Sequence, residues 1–224
     1  MKKTAYRIWS KFLTAFGNVK CFRFPLWLVY DPDDYQISGE NVLEILDVLK
    51  PGDIILRGYD KYLDGKFIPN FKNDVIGVGF SHGAVYLGDN TILHAVAEGV
   101  SEINVVDFCQ CDRIAIFRPR KGGTKKAIAN VKKCIGKKYD FIFQENNNNV
   151  YCFELCKIAY PNSDIKTMTI KRFFGLFRKK VYVAQSIIEA KDFRLIYCIN
   201  RKSGIFFKKN RICKTYQIRH LKRH

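Results

Sequence analysis

Three residues of this chain have the types and spacing of an activated nucleophile: Cys152, His82 and His94. A thiolate attacks carbonyl carbon, and its pKa falls when it sits at the first turn of a helix beside an imidazolium. The stretch NNNNVYCFELCKIAYP, residues 146–161, puts Cys152 just past a polar loop and at the head of a segment with helical apolar spacing. Cys156 follows one turn later and reads as a small core residue. The base must come from elsewhere, and the chain has four histidines. His220 and His224 lie in a basic tail and read as solvated surface. His82 and His94 lie twelve residues apart, in FSHGAVYL and TILHAVA, on either side of Gly88-Asp89-Asn90.

Those two segments read as the arms of a β-hairpin. Side chains alternate faces along a strand, so the parity of the connection decides whether the histidines share a face. A two-residue Asp89-Asn90 loop sets His82 against Ala97 and leaves His94 on the other face. A three-residue Gly88-Asp89-Asn90 loop pairs Ala84 with His94 and makes the imidazoles diagonal neighbours, roughly 7 to 8 Å apart at the backbone. The second arrangement is the one a triad needs. In it His82 is the base that activates Cys152, His94 orients and polarises His82, and the Cys152 N–H at the helix start helps to meet an oxyanion. On spacing alone, a structural histidine pair and an inert core cysteine remain open beside it.

The elements that would hold these residues are readable. Residues 4–17 place Ala5, Ile8, Trp9, Phe12, Leu13 and Phe16 at helical spacing with lysines and arginines away from that stripe, a short basic amphipathic helix. A second helix runs from Gly39 to Leu49, with Ser38 as N-cap and Pro51-Gly52 as its stop. DIILR (53–57) and RIAIF (113–117) read as strands, and Thr124 reads as the cap of a helix over Lys125 to Ile135, closed by Gly136. The segments VYVAQSIIEA and FRLIYCI fit strand or helix equally well.

The chain has 224 residues and is 47% hydrophobic, enough for one sizeable core. Its net charge of +18 is uneven. Residues 1–30 carry six basic side chains and no acid, and residues 161–224 carry 17 basic and three acidic, while the centre is almost neutral. The two ends therefore suggest contact with an anionic surface or nucleic acid. No nucleic-acid fold signature accompanies them. Eight cysteines without regular spacing read as reduced thiols, and Cys109-Gln110-Cys111 lacks the second pair that a zinc site requires. No metal and no cofactor is expected. No apolar run reaches the roughly 18 to 20 residues of a membrane span, and no small-residue cleavage site follows the lysine-led start; reduced thiols suit a cytoplasmic protein, and the compartment is otherwise left open.

Taken in order, PGDIILRG, SHGAVYLGDNTILHAVAEGV, IGKKYDFIF and YCFELC resemble the YiiX/YebB-like cysteine hydrolases, a circularly permuted branch of the NlpC-type papain-like peptidases. The resemblance covers roughly residues 50–160. It implies an α+β fold, with an antiparallel sheet or half-barrel packed against the helix that carries the nucleophile. The histidine strands then precede the cysteine helix, with N-terminal helices in 1–49 and a basic extension in 161–224 that completes or decorates the same domain. It implies that Cys152 is the nucleophile, His82 the base and His94 the third polar residue, with Glu98 as the alternative third. It also implies cleavage of an amide or peptide bond through a thioacyl enzyme, without metal or cofactor, as in cell-wall peptides. Relatives that act on lipid esters and acyl groups make an acyltransferase or esterase the nearby alternative. Tyr59 and Tyr62 could line the cleft by analogy. Tyr151, Phe153 and Glu154 flank the thiol. Phe153 departs from the small polar residue usual after the nucleophile and points to a narrower or more apolar pocket.

Overall fold

A computed structural model describes residues 7–8, 11–12, 19–22, 27–30, 37–59, 79–143, 148–172 and 177–199. Tyr62, His220, His224 and most of the amphipathic segment 4–17 lie outside the described residues; Arg7, Ile8, Lys11 and Phe12 are helical, with Ile8 and Phe12 exposed.

The centre is a six-stranded antiparallel sheet. Its strands are β3 (Ile54–Gly58), β4 (His82–Gly88), β5 (Thr91–Val96), β6 (Gly99–Asn104), β7 (Arg113–Pro119) and β10 (Phe193–Ile199), in the order β10-β7-β3-β4-β5-β6. Two small hairpins stand apart from it: β1 (Val19–Phe22) with β2 (Trp27–Tyr30), and β8 (Met168–Arg172) with β9 (Phe177–Val181). The helices are α1 (Gly39–Val48), α2 (Val105–Phe108), α3 (Thr124–Lys132), α4 (Cys152–Ala159) and α5 (Ala184–Ile188).

Both faces of the sheet are covered, which is why β3, β4, β5 and β7 read as apolar runs and not as strict alternation. On one face Ile54, Leu56, Val85, Leu93, Ala95, Ala115 and Phe117 join α3 and α4, through Ala127, Val131, Leu155, Cys156 and Ala159. On the other, Ile55, Ala84, Tyr86, Ile92, Ile114 and Ile116 meet Ile45 of α1 and Leu49 just after it, and Val105, Phe108, Cys109 and Cys111. FRLIYCI is thus a strand, paired with β7, and AQSII a helix.

Local chemistry sets the boundaries. Ser38 caps α1: its side chain accepts the Asn41 N–H at 3.4 Å while Asn41 Oδ1 accepts the Ser38 N–H at 3.2 Å. The expected Thr124 cap of α3 is instead Gly123 at φ 111°, and Thr124 is the first helical residue. A left-handed backbone there favours glycine over the residue whose hydroxyl could have capped. β3 is latched at its start. Asp53, buried, accepts Arg118 Nε at 2.8 Å and Nη2 at 2.7 Å, as well as the Lys50 N–H at 2.9 Å.

Candidate active site

The hairpin that carries the histidines settles its parity in an unexpected way. Asp89 and Asn90 form a two-residue turn, both at positive φ, 48° and 57°, as a type I′ turn requires. The odd residue sits inside the strand: the register slips between Tyr86 and Gly88, so Leu87 is bulged. Gly88 pairs with Thr91, yet Ala84 pairs with His94. The expected face-sharing therefore holds, but through a bulge and not through a three-residue loop. The primed turn matches the twist of the strands, and Gly88 at φ 106° accommodates the kink.

His82 Nε2 lies 3.3 Å from His94 Nδ1, and the rings meet edge to face. Both rings stand near Phe108, at 5.9 and 6.1 Å between centroids. Arg57 faces His82 directly across the β3–β4 ladder. Its guanidinium lies 4.5 Å over the Phe108 ring, and Nη1 donates to the Phe108 carbonyl at 3.2 Å. Burial first, then the Arg57 charge, depress both imidazoles: His94 to about 3, and His82 well below its ordinary value, with His94 adding to the effect on His82. The resting pair is neutral.

Cys152 opens α4 and is buried against the other face of β4. Gly83, the residue after His82, admits this helix: a Cβ there would come within 2.9 Å of Phe153 and 3.2 Å of Cys156 Sγ. Burial raises the Cys152 thiol, while the Gly83 N–H, the Tyr139 hydroxyl and the N–H groups of Phe153 and Cys152 act in the opposite direction by hydrogen bonding to sulfur. The thiol thus touches the backbone next to His82, whereas the His82 ring packs with His94 and Phe108. His82 is the first residue of β4 and the last pair of the β3–β4 ladder, and Gly83, whose N–H meets the thiol, is the next residue along the strand.

The remaining expected site residues divide. Glu154 at the third helical position accepts the Tyr151 N–H at 3.4 Å, which satisfies an open donor of the helix start. Tyr151 is buried, with its ring 4.9 Å from that of Phe143 and its hydroxyl accepting the Tyr182 N–H at 2.7 Å. Phe153 is buried over Gly83. Both aromatics are packed in the core on the α4 side of the sheet. Tyr59 stacks under Arg57 at 5.4 Å. Glu98 is exposed in the turn between β5 and β6, and the residue set against His82 is His94. Cys156 is fully buried, its thiol pushed well up by burial.

Two residues of the site escaped the sequence reading. Tyr139 lies in IGKKYDFIF and reaches the thiol because residues 138–140 pair with Val150 just before α4, through Val150 N–H to Lys138 O at 3.0 Å and Asp140 N–H to Val150 O at 3.3 Å. Arg57 ends the DIILR strand, where the alternation of β3 points it to the histidine face. Among the described residues, no group of three or more His, Cys, Asp or Glu side chains is placed to hold a metal ion, and no helix is long and apolar enough to cross a membrane.

Comparison with known proteins agrees with this fold. The model of a family described as permuted papain-like amidase enzymes, YaeF/YiiX, C92 family, matches residues 48–197. The crystal structure of the metalloprotein YiiX from Escherichia coli O157:H7 is similar, with a TM-score of 0.55 at 18% identity, over 67% of this chain and 97% of that one. The likeness shows a shared fold. No curated protein matches the chain.

Proposed function

The chain belongs to the C92 family of permuted papain-like amidases, YaeF/YiiX, and from that premise we propose that it cleaves an amide or peptide bond with Cys152 as nucleophile. The observation that supports this most is a thiol at a helix start that takes the N–H of Gly83, the residue that follows a histidine hydrogen-bonded to a second histidine. His82 takes the thiol proton as Sγ bonds to the carbonyl carbon. The oxyanion is met by the Cys152 N–H and the Tyr139 hydroxyl. Collapse breaks the C–N bond, and the amine leaves with the proton from His82. Water, deprotonated by His82, then releases the acid from the thioacyl enzyme. His94 holds the His82 ring in place throughout.

The family's description as amidases supports an amide as the scissile bond and a peptide-like amide as the substrate class. An ester or thioester on the same machinery is the nearest other reading, because the thioacyl intermediate is common to all three. The basic segments 1–30 and 161–224 are proposed as an accessory contact with an anionic surface. The test is turnover of amide, peptide, ester and thioester panels by the native chain, Cys152→Ala and His82→Ala. Both variants should lose activity by at least about 10³-fold while keeping the native fold. Turnover that survives both changes would sink the mechanism, and ester turnover without amide turnover would transfer the function to acyl chemistry.

A further inference from the structure

Arg57 is a cation in a place that does not neutralise it. Its partners among the described residues are the Phe108 carbonyl, the Phe108 ring and the Tyr59 ring, and its Nε is buried with no hydrogen-bond partner. Cations taken out of water are costly unless a carboxylate answers them. The ladder sets this one directly opposite His82, and the ring on which it rests is the ring both histidines touch.

We propose that Arg57 is a positioning residue whose charge, clamped on Phe108 and set across the ladder from His82, adds to burial in keeping the His82–His94 pair uncharged, so that the thiol meets a free base and not an imidazolium. This rests on the assignment of Cys152 and His82 above. Other charged or titratable groups do not reverse the field. Cys109 and Cys111, between α2 and β7 and packed on the same face, have thiols raised by burial, Cys109 to about 12, so neither supplies an anion near neutral pH. Asp112 acts on Cys111. Tyr59 follows β3 and lies under Arg57 itself. From the sheet's other side come Cys152 and Tyr139, both pushed up by burial and therefore protonated. An imidazolium at His82 would face a guanidinium, and among the described residues no carboxylate stands among the charges that act on it. The uncharged resting state then has a chemical consequence: the proton moves from sulfur to His82 only as carbonyl attack begins, when the developing oxyanion offsets the new positive charge.

Ring nitrogen NMR of the full labelled chain, titrated from pH 8 to pH 4, tests this. In the native chain both imidazoles should keep neutral-form shifts throughout. In Arg57→Met and Arg57→Gln, at least one ring should titrate with a midpoint raised by about 1 pH unit or more. Arg57→Lys, which keeps the charge, should behave as the native chain does. Iodoacetamide alkylation of Cys152, followed by mass spectrometry, should move its acid limb upward in the Met and Gln variants only. A native imidazole that protonates near pH 6.5, or midpoints unmoved in the Met and Gln variants, overturns the proposal. So does failure of both neutral variants to fold, which would make Arg57 a structural residue. Loss of the underlying assignment reads out separately, as turnover that survives Cys152→Ala with the titrations unaffected.

Discussion

The two ends of β3 carry opposite charges, and the structure treats them in opposite ways. At its start Asp53 is buried and fully answered, by two nitrogens of Arg118 and the Lys50 N–H, and its carboxylate holds the Arg118 proton more tightly. At its end Arg57 is answered by a carbonyl and two rings, and beside it stand two histidines depressed by burial and by its charge. A closed ion pair fixes how strands meet. An open one perturbs its neighbours, and perturbed titratable groups gathered at one place are the mark of a site. Three residues of one strand, Ile54 to Leu56, thus separate what holds the fold from what tunes the chemistry.

The comparison breaks first at the latch. Asp53→Asn leaves Arg118 without its anion and should lower unfolding free energy by about 3 kcal/mol, measured by urea titration. Because the latch is at the far end, the pH profile of Cys152 alkylation in the folded variant should not move. A shifted profile would mean the two ends are coupled.

A smaller effect sharpens the other end. Tyr139→Phe removes a hydroxyl that stabilises the thiolate, so the Cys152 pKa should rise further and alkylation at pH 8 should slow by about tenfold. An unchanged rate would assign Tyr139 to packing with Phe141 and Phe143 alone.

The mildest effect is on stability against pH. A histidine depressed in the folded state binds its proton more readily when unfolded, so stability is complete above pH 6.5 and is lost as pH falls toward about 3, the folded value of His94. His94→Gln should flatten that slope between pH 6.5 and 4 in thermal melts. The same slope in the variant would place the acid sensitivity elsewhere.

Much of this was legible in the residues. The ordered motifs carried the fold, the spacing of His82 and His94 carried their pairing, and the Pro51-Gly52 stop bounded its helix, whereas α3 ends at Lys132, short of Ile135 and Gly136. What escaped did so for physical reasons. The bulge at Leu87 leaves no trace in composition, since any residue can sit in it, and only the count between the histidines hinted that one residue had to be absorbed. The β8–β9 hairpin reads MTIKR and FRKKV, too basic to announce a strand. The β1–β2 hairpin lies in a stretch where apolar and basic residues alternate without a turn signature. Gly123 displaced Thr124 as a cap because a backbone angle outweighed a hydroxyl. Arg57 and Tyr139 act across the fold on partners 25 and 13 residues away, at distances that only the sheet end and the Lys138–Val150 pairing bring to contact.

The central claim is that Cys152 is the one thiol made reactive, and that His82 makes it so. Burial raises the thiols of Cys109, Cys111, Cys134 and Cys156 as well, so chemistry and not exposure must distinguish Cys152. A limiting amount of a carbonyl-directed electrophile, followed by peptide mapping, measures this directly. The account predicts label at Cys152 ahead of the other seven cysteines, suppressed in His82→Ala. Label spread evenly over several thiols, or undiminished at Cys152 without His82, would contradict it.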